Sequence, residues 1–294
     1  MPELPDITIY VEALERRIVG HVLRDVRLQT PFLLRTVDPP LSALSDKRVT
    51  GARRLGKRIV IALEDELYVV THLMIAGRLH WKATTARTRG RANLAVFEFD
   101  TGSLVLTEAG TTRRASLHVV RGDDGLAQFA RGGLEVLDAS AADFTARLRS
   151  ENHTLKRALT DPRLFSGIGN AYSDEMLFRA RLSPVKLTSR LTDDEVARLD
   201  AAIRDVLVEW TERLRAQAAG EFPEKVTAFR PEMAVHGKYG QPCVVCGTPV
   251  QRIRYADNET NYCARCQTEG RLLADRALSR LLKGDWPKSI DEML

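Results

Sequence analysis

Residues 243–266 read CVVCGTPVQRIRYADNETNYCARC and contain all four cysteines of the chain. The cysteines form two CxxC pairs, Cys243 with Cys246 and Cys263 with Cys266. A hairpin between the pairs can bring four thiolates around one ion, in the tetrahedral arrangement that structural zinc prefers. Two disulfides or a redox pair are the alternatives, although a cytosolic chain disfavours disulfides. We expect a structural Zn²⁺ site that shapes the hairpin and takes no part in catalysis.

The residues upstream of the cysteines, from about Gly133, follow the period of helices. Thr192 and Glu195 match a capping box, and apolar residues recur at helical spacing from there to Leu214. Gly167-Ile-Gly-Asn170 precedes another predicted helix. Glycines at that point let successive backbone N–H groups face one anion at the helix N-terminus. The same pattern occurs in many folds, so it is a weak signal when taken alone.

In the first part of the chain, a leading helix comes first, and after it the apolar residues repeat with a period of two. Asp6 precedes a stripe of apolar residues and Gly20 follows it, so we expect a helix of about fourteen residues capped by Asp6. Seven short runs rich in Val, Ile, Leu and aromatic residues come next, at 22–28, 58–63, 67–74, 79–82, 94–99, 103–107 and 116–120. Short strands at such spacing predict an antiparallel sandwich.

Together these patterns predict an α+β fold in several parts. We expect an N-terminal antiparallel β-sandwich domain with a leading helix at 1–134 and a helical domain at 135–235. A four-cysteine zinc-finger hairpin at 236–283 and a tail at 284–294 complete the division. The composition, 44% hydrophobic and 28% charged residues, provides for a sizeable core and excludes wholesale disorder.

Charge and hydropathy restrict the partners of the chain. The formal net charge is +5, and residues 47–58 hold six basic and no acidic side chains. This favours a polyanionic partner, although a solvated basic surface explains the same charge equally well. No apolar run approaches the roughly 18 residues of a membrane span. The first residues also lack a secretory signal, so we expect a cytoplasmic protein with no membrane partner.

The start of the chain offers a nucleophile. Pro2 directly follows Met1, and a small second residue permits removal of the initiator methionine. The α-amino group then exposed titrates near pH 8, so about a tenth of it is neutral at pH 7. Attack of this amine on a sugar C1′ gives a cationic iminium that drives β-elimination, and Glu3 could shuttle the protons. Alternatively, Pro2 and Pro5 only stiffen an N-terminal arm.

In their order along the chain, the motifs resemble the formamidopyrimidine-DNA glycosylase/endonuclease VIII family of base-excision repair enzymes. The matching segments are residues 1–6, Leu55–Lys57, His72–Met74 with Gly77, Arg113-Arg114, Gly167–Asn170 and the four cysteines. The resemblance implies a helix–two-turns–helix motif in the helical domain. It also implies a bifunctional DNA glycosylase/AP lyase, which removes a damaged base through a Schiff base on an N-terminal proline and then cleaves the abasic strand by β-elimination.

The resemblance further implies roles for individual residues. Pro2 would be the nucleophile, Glu3 the acid that assists base loss, and Lys57 the residue that helps elimination and holds phosphate. Met74 and Arg113 would fill the gap left by the flipped nucleotide. The other predicted DNA contacts are Arg91, Arg114, Asn170, Arg254 and Asn258. We expect a monomer that binds damaged DNA at the nucleoid and holds structural zinc.

Several positions depart from the family pattern, and two of them bear on how DNA is held. Ala115 stands where many members have a phenylalanine that completes the wedge, and Asn258 stands in place of the finger arginine. A neutral amide does not clamp phosphate as a guanidinium does, although Arg254 could partly substitute. These departures motivate an alternative function, a non-catalytic repair protein that binds damaged or abasic DNA.

Overall fold

The computed structural model describes residues 1–83, 90, 92–109, 112–224, 226–227, 229–255, 258–275, 280–282 and 287–293. The helices are α1 (Leu4–Ile18), α2 (Gly122–Ala127), α3 (Ala141–Arg149), α4 (Leu155–Thr160), α5 (Asn170–Arg179), α6 (Asp193–Ala218) and α7 (Ala264–Thr268). The strands are β1 (Val22–Leu28), β2 (Lys47–Leu55), β3 (Arg58–Leu63), β4 (Leu67–His72), β5 (Gly77–Lys82), β6 (Asn93–Phe99), β7 (Gly102–Glu108), β8 (Ser116–Arg121), β9 (Gln251–Tyr255) and β10 (Asn258–Tyr262). Short 3₁₀ helices lie at Pro31–Leu33, Leu41–Leu44, Thr188–Arg190 and Ile290–Glu292.

Within these residues, eight strands form one antiparallel sheet in the order β5-β7-β6-β1-β2-β3-β4-β8. β1 pairs with β2 only at Val22 and Leu23, whereas its ladder with β6 runs on to Leu28. The sheet therefore divides into two four-stranded halves, which form the β-sandwich that follows the leading helix. The helical segment and the zinc-finger hairpin β9–β10 come after it, so the predicted fold class is confirmed.

Strand β2 is the one strand of this sheet that the sequence patterns missed. Its ladder with β3 shifts register between Val49 and Gly51, and a bulge of this kind breaks the period of two. Only Val49 and Ala52 of its nine residues are buried. The basic segment 47–58 thus lies mostly on a strand, where apolar residues are too few to make the alternation visible.

The leading helix begins earlier than expected, and the prediction that Asp6 caps it was wrong. Glu3 is the N-cap of α1, and its backbone N–H donates to Asp6 Oδ2 at 3.0 Å in a capping box. Pro5 lies in the first turn, where the missing N–H of proline would have no intrahelical partner in any case. The helix can therefore start on the N-terminal side of this proline.

The chain divides into two compact units. The first comprises Met1–Arg131 with Trp210–Thr227, and the second Gly132–Glu209 with Ala228–Leu294. The capping box of α6 is present as expected, with Thr192 and Glu195 exchanging hydrogen bonds of 3.0 and 3.2 Å. The finer limits at residues 134, 235 and 283 stay a prediction. In the described residues, no helix combines the length and hydropathy that crossing a bilayer requires.

Candidate functional site

The N-terminal residues lie in a buried and charged environment of the first unit. Pro2 and Glu3 are both buried immediately before α1. Burial lowers the pKa of the Met1 amino group, and the positive charges of Arg78 and Lys57 lower it further, while Glu3 and Asp6 act in the opposite direction. The charges of the predicted catalytic residues Glu3 and Lys57 therefore both act at the start of the chain.

Lys57 lies in the turn between β2 and β3. Gly56, which precedes it, has a φ of 61°, and Arg54 Nη1 donates to Gly56 O at 2.9 Å. Lys57 itself is half-buried. The turn is thus held by the side chain of a neighbouring arginine, which keeps a second positive charge close to Lys57.

The turn between β4 and β5 carries the predicted wedge methionine. Gly77 N donates to Leu73 O at 2.9 Å, and a Cβ on Gly77 would lie only 2.2 Å from that oxygen, so the turn requires glycine. Met74 is half-buried, with a φ of 51°. The next residue, Ile75, is 54% exposed. The turn therefore presents Ile75 to solvent more fully than Met74.

The arginine pair lies in a loop that a buried carboxylate organises. Glu108, at the end of β7, is 2% exposed and accepts hydrogen bonds from the backbone N–H groups of Arg114 at 3.0 Å and Ala115 at 3.1 Å. The side chains of Arg113 and Arg114 are exposed. Arg91, another predicted DNA contact, lies outside the described residues.

Two histidines lie in the basic region around Arg58: His72, which belongs to the matching segment His72–Met74, and His118, which the sequence did not single out. His72 ends β4 opposite Arg58 on β3, and burial together with the charges of Arg58 and Lys57 lowers the pKa of His72 to about 4. Burial and the charges of Arg58 and Arg35 also lower the pKa of His118 on β8. Both imidazoles are therefore neutral at neutral pH, in a basic region that can attract phosphate. Only the sheet register, which places these groups side by side, reveals the cluster.

The second unit joins Asn170 to the hairpin that carries two other predicted DNA contacts. Gly169 caps α5, and Asn170, the first residue of this helix, donates from Nδ2 to Glu259 O on β10 at 2.9 Å. In the hairpin register Glu259 pairs with Arg254, and Asn258 pairs with Tyr255. The side chains of Arg254 and Asn258 are both exposed, on opposite faces of the hairpin.

Two buried carboxylates on α5 connect this helix to the hairpin and to residues 234–236. Asp174 Oδ2 is hydrogen-bonded to His236 Nδ1 at 2.8 Å and accepts from Asn261 N at 3.1 Å, and its Oδ1 forms an ion pair with Lys156. Glu175 accepts three backbone N–H groups, from residues 234, 235 and 236, at 2.8 to 3.0 Å. Burial raises the pKa of Glu175 even though these bonds oppose the shift.

The four cysteines form a site that fits zinc. Their sulfur atoms all lie within 4.8 Å of one another, with Cys246 and Cys263 Sγ 3.4 Å apart and Cys243 and Cys266 Sγ 3.9 Å apart. Zn–S bonds of about 2.3 Å in a tetrahedron require sulfur separations of about 3.8 Å. A disulfide needs a separation of about 2.05 Å, so the disulfide alternative was wrong. The structural zinc prediction is confirmed.

Three family models match successive parts of the chain. The Formamidopyrimidine-DNA glycosylase N-terminal domain matches residues 1–115, and the Formamidopyrimidine-DNA glycosylase H2TH domain matches residues 134–217. The zinc finger found in FPG and IleRS matches residues 240–268. These three matches follow the same order along the chain as the β-sandwich, the helical segment and the cysteine hairpin.

Whole-chain relatives agree with these matches. The Formamidopyrimidine-DNA glycosylase of Thermus thermophilus is 33% identical over 282 residues, which cover 92% of this chain and 100% of that protein. The enzyme of the same name from Exiguobacterium sibiricum is 30% identical, covering 91% and 99%. A crystal structure of Lactococcus lactis Fpg with abasic-site DNA superposes with a TM-score of 0.80 at 25% identity, covering 90% of this chain and 99% of that one. The chain belongs to the formamidopyrimidine-DNA glycosylase family.

Proposed function

We propose that this protein is a bifunctional DNA glycosylase and AP lyase of base-excision repair that uses Pro2 as its nucleophile. The observation that carries the proposal is the setting of the chain start, where Pro2 and Glu3 are buried and where burial and the charges of Arg78 and Lys57 lower the pKa of the Met1 amino group. A lower pKa leaves more of the amine neutral, and the neutral amine is the form that attacks carbon. Removal of Met1 would transfer this role to the imino nitrogen of Pro2.

The reaction follows from groups around the N-terminus. The nitrogen of Pro2 bonds to C1′ while the bond from C1′ to the base breaks, and the departing base takes a proton from Glu3. The Glu3 carboxylate then takes the N–H proton of Pro2 and passes it to O4′ as the C1′–O4′ bond breaks, which opens the sugar ring to an iminium. The departed base or water accepts a proton from C2′ as the C3′–O bond to the 3′ phosphate breaks. Lys57 holds phosphate through its charge, and this stabilises the leaving group. Hydrolysis of the iminium releases Pro2 and the cleaved strand.

The other predicted residues bind the DNA and hold it in position. Asn170 is hydrogen-bonded to the hairpin through Glu259 O, and the zinc site holds this hairpin, which carries Arg254 and Asn258. Arg113 and either Met74 or Ile75 fill the gap of the flipped nucleotide, while Arg91 and Arg114 contact DNA. The partner is damaged DNA, which several solved relatives contain. We infer a monomer acting in the cytoplasm at the nucleoid.

Borohydride trapping tests the chemistry. The native protein, incubated with an oligonucleotide that carries an abasic site, should give a covalent band after reduction. Pro2→Gly keeps an amine at the same place but changes the nucleophile, so its trapping rate should fall. N-terminal sequencing provides the control, because a retained Met1 would block the nitrogen of Pro2. A trapping rate that Pro2→Gly leaves unchanged would rule out the assigned nucleophile.

One observation favours a second function, a repair protein that binds damaged or abasic DNA without cleaving it. Asn258 is exposed on the hairpin and carries no charge, so it contributes less phosphate affinity than an arginine. This alternative predicts tight binding to abasic DNA together with neither a trapped band nor strand cleavage. The same oligonucleotide therefore separates the two functions.

A further inference from the structure

The hairpin β9–β10 is held along both of its outer edges. On the β10 edge, Glu259 O accepts a hydrogen bond from Asn170 Nδ2. On the β9 edge, Arg254 N donates to Asp275 Oδ2 at 2.9 Å. Arg254 and Glu259 face each other in the ladder, and both of these bonds point away from the partner strand, as in an antiparallel pair whose members are not bonded to each other. The hairpin is therefore fixed from two sides, by α5 and by Asp275.

Asp275 belongs to a segment that continues past the zinc-finger match, which ends at residue 268. Its described residues form two arms, which we define as residues 269–275 and 287–293. The arms run antiparallel, with a bridge between Arg271 and Ser289. Two backbone hydrogen bonds join them, from Leu272 N to Lys288 O at 2.9 Å and from Ile290 N to Gly270 O at 2.8 Å. The second arm thus holds the first one in place.

A shared apolar core fixes the two arms to the hairpin. The buried side chains of this core come from the hairpin, from α7 and from both arms, and they are Ile253, Tyr262, Ala264, Leu272, Leu273 and Ile290. Leu273 N also donates to Tyr262 Oη at 2.8 Å. Asp275, two residues further on, is only 2% exposed. A carboxylate that accepts a backbone N–H forms a charge-assisted bond, so the arms hold β9 firmly at Arg254.

The side chain of Arg254 is exposed, whereas that of its neighbour Arg252 is engaged within the protein. Arg252 lies on the same face of β9, where its guanidinium lies 4.1 Å from the centre of the Tyr239 ring and 3.4 Å from a carboxylate oxygen of Glu259. The acid opposite Arg254 is therefore already paired with another arginine. The exposed guanidinium of Arg254 suits a phosphate, on a hairpin whose other predicted DNA contact, Asn258, carries no charge.

We propose that Asp275 is a positioning residue, which fixes β9 so that Arg254 binds a DNA phosphate. Holding the backbone of a binding residue in advance lowers the entropy that is lost when DNA binds. The two arms would thereby contribute to DNA affinity although the proposal needs no contact between the arms and DNA. The inference rests on the proposed function, because it takes the hairpin to face DNA.

The salt dependence of binding tests the proposal. The probe is a duplex with a tetrahydrofuran abasic analogue, and its affinity is measured over a range of salt concentrations. Each phosphate contact contributes about −0.9 to the slope of log K against log salt, so Arg254→Gln should reduce the magnitude of the slope by about 1. Asp275→Ala should reduce the slope in the same direction and weaken binding by about fivefold, the equivalent of one hydrogen bond. Asp275→Asn keeps an acceptor oxygen and should restore most of both.

A double-mutant cycle separates positioning from a purely structural role. If Asp275 acts through Arg254, then adding Asp275→Ala to Arg254→Gln should cost no further affinity. Asp291→Asn is the matched control, because it breaks only an exposed ion pair between the second arm and Arg265, and it should keep the native affinity and slope. Additive losses in the double variant would overturn the proposal. A native slope in Arg254→Gln would also overturn it, whether or not the Asp275 variants fold.

The outcome is separable from that of the proposed function. The analogue cannot form a Schiff base, so these measurements report binding alone. A protein with the coupled effect of Asp275 and Arg254 but without a trapped band on abasic DNA would refute the chemistry and support the positioning role. A trapped band together with a native slope in Arg254→Gln would do the reverse.

Discussion

Lys57 contributes one of the two positive charges that lower the pKa of the N-terminal amino group. A nearby positive charge disfavours a protonated amine, so removing it raises the pKa and leaves less neutral nucleophile at a given pH. Removal of Met1 leaves the nitrogen of Pro2 as the amine beside Lys57, and we expect the pH midpoint of covalent trapping to move upward in Lys57→Ala. Lys57→Arg keeps the charge and should keep the midpoint. Equal midpoints in all three proteins would show that Lys57 does not act on the amine.

His72 should make the stability of the protein depend on pH. Its pKa is about 4 in the folded chain and about 6.5 when unfolded, so between these values the unfolded state binds more protons. The free energy of unfolding should therefore decrease as the pH falls from about 6.5 to 4. Urea denaturation at pH 7.5 and pH 5 should show a smaller decrease for His72→Asn than for the native protein. The same decrease in both would mean that His72 is accessible to protons when folded.

Met74 and Ile75 offer different side chains for the gap in the duplex. Ile75 is 54% exposed, while Met74 is half-buried in the turn. A side chain that enters the base stack must first be free to leave the protein surface, so we expect Ile75→Ala to reduce the excision rate more than Met74→Ala does. Single-turnover excision from duplex DNA measures both. A larger defect in Met74→Ala would show that Met74, and not Ile75, fills the gap in the duplex.

The loop that carries Arg113 and Arg114 depends on the carboxylate of Glu108. Glu108→Gln replaces one acceptor oxygen by a donor, and an N–H group left without a partner costs about 1–3 kcal/mol where it is buried. We expect faster hydrogen exchange at the amides of residues 114 and 115 and weaker binding to duplex DNA. Glu98→Gln on β6 is the control, because Glu98 pairs with Arg27 in the same half of the sheet. Unchanged exchange in Glu108→Gln would show that the loop is held in another way.

Regular elements could be predicted wherever their apolar residues repeat without interruption. The apolar run of β3 and the stripe that follows the capping box at Thr192 are of this kind, and both appear in the structure. Strand β2 could not be predicted, because the bulge after Val49 shifts its register and few of its side chains are buried. The start of α1 was misplaced because two polar residues, Glu3 and Asp6, share the capping of one helix.

Zinc should matter for DNA binding more than for chemistry. The apparent free energy of binding structural zinc is about 10–16 kcal/mol, which is also folding free energy. Removing the metal with a strong chelator should expose the amides of β9 and β10 to hydrogen exchange and weaken affinity for abasic duplex by about tenfold or more, since several charge-assisted contacts are lost. Trapping at saturating abasic DNA should persist, because the amine lies in the first unit. Readdition of Zn²⁺ is the control. Loss of trapping at saturation would show that zinc is needed for the chemistry as well as for DNA binding.

Much of the candidate site could be predicted because its residue types have few other uses in such spacing. The sequence alone reveals the cysteine pairs, Pro2 at the chain start and the glycines before Asn170. Glu108 and His118 could not be found in this way, since a glutamate and a histidine occur in any sequence. Their meaning comes from backbone N–H groups in the loop after β7 and from strand register.

Asp174 and Glu175 impose a condition on how this chain can change over evolution. The partners of both carboxylates include groups at residues 234–236, and Asp174 also accepts from Asn261. A gene shortened before these positions would leave Glu175 without its three N–H donors and Asp174 with Lys156 alone, at a cost of several kcal/mol. In this chain, a truncation that removes the metal-bearing hairpin therefore also destabilises the helix–two-turns–helix segment.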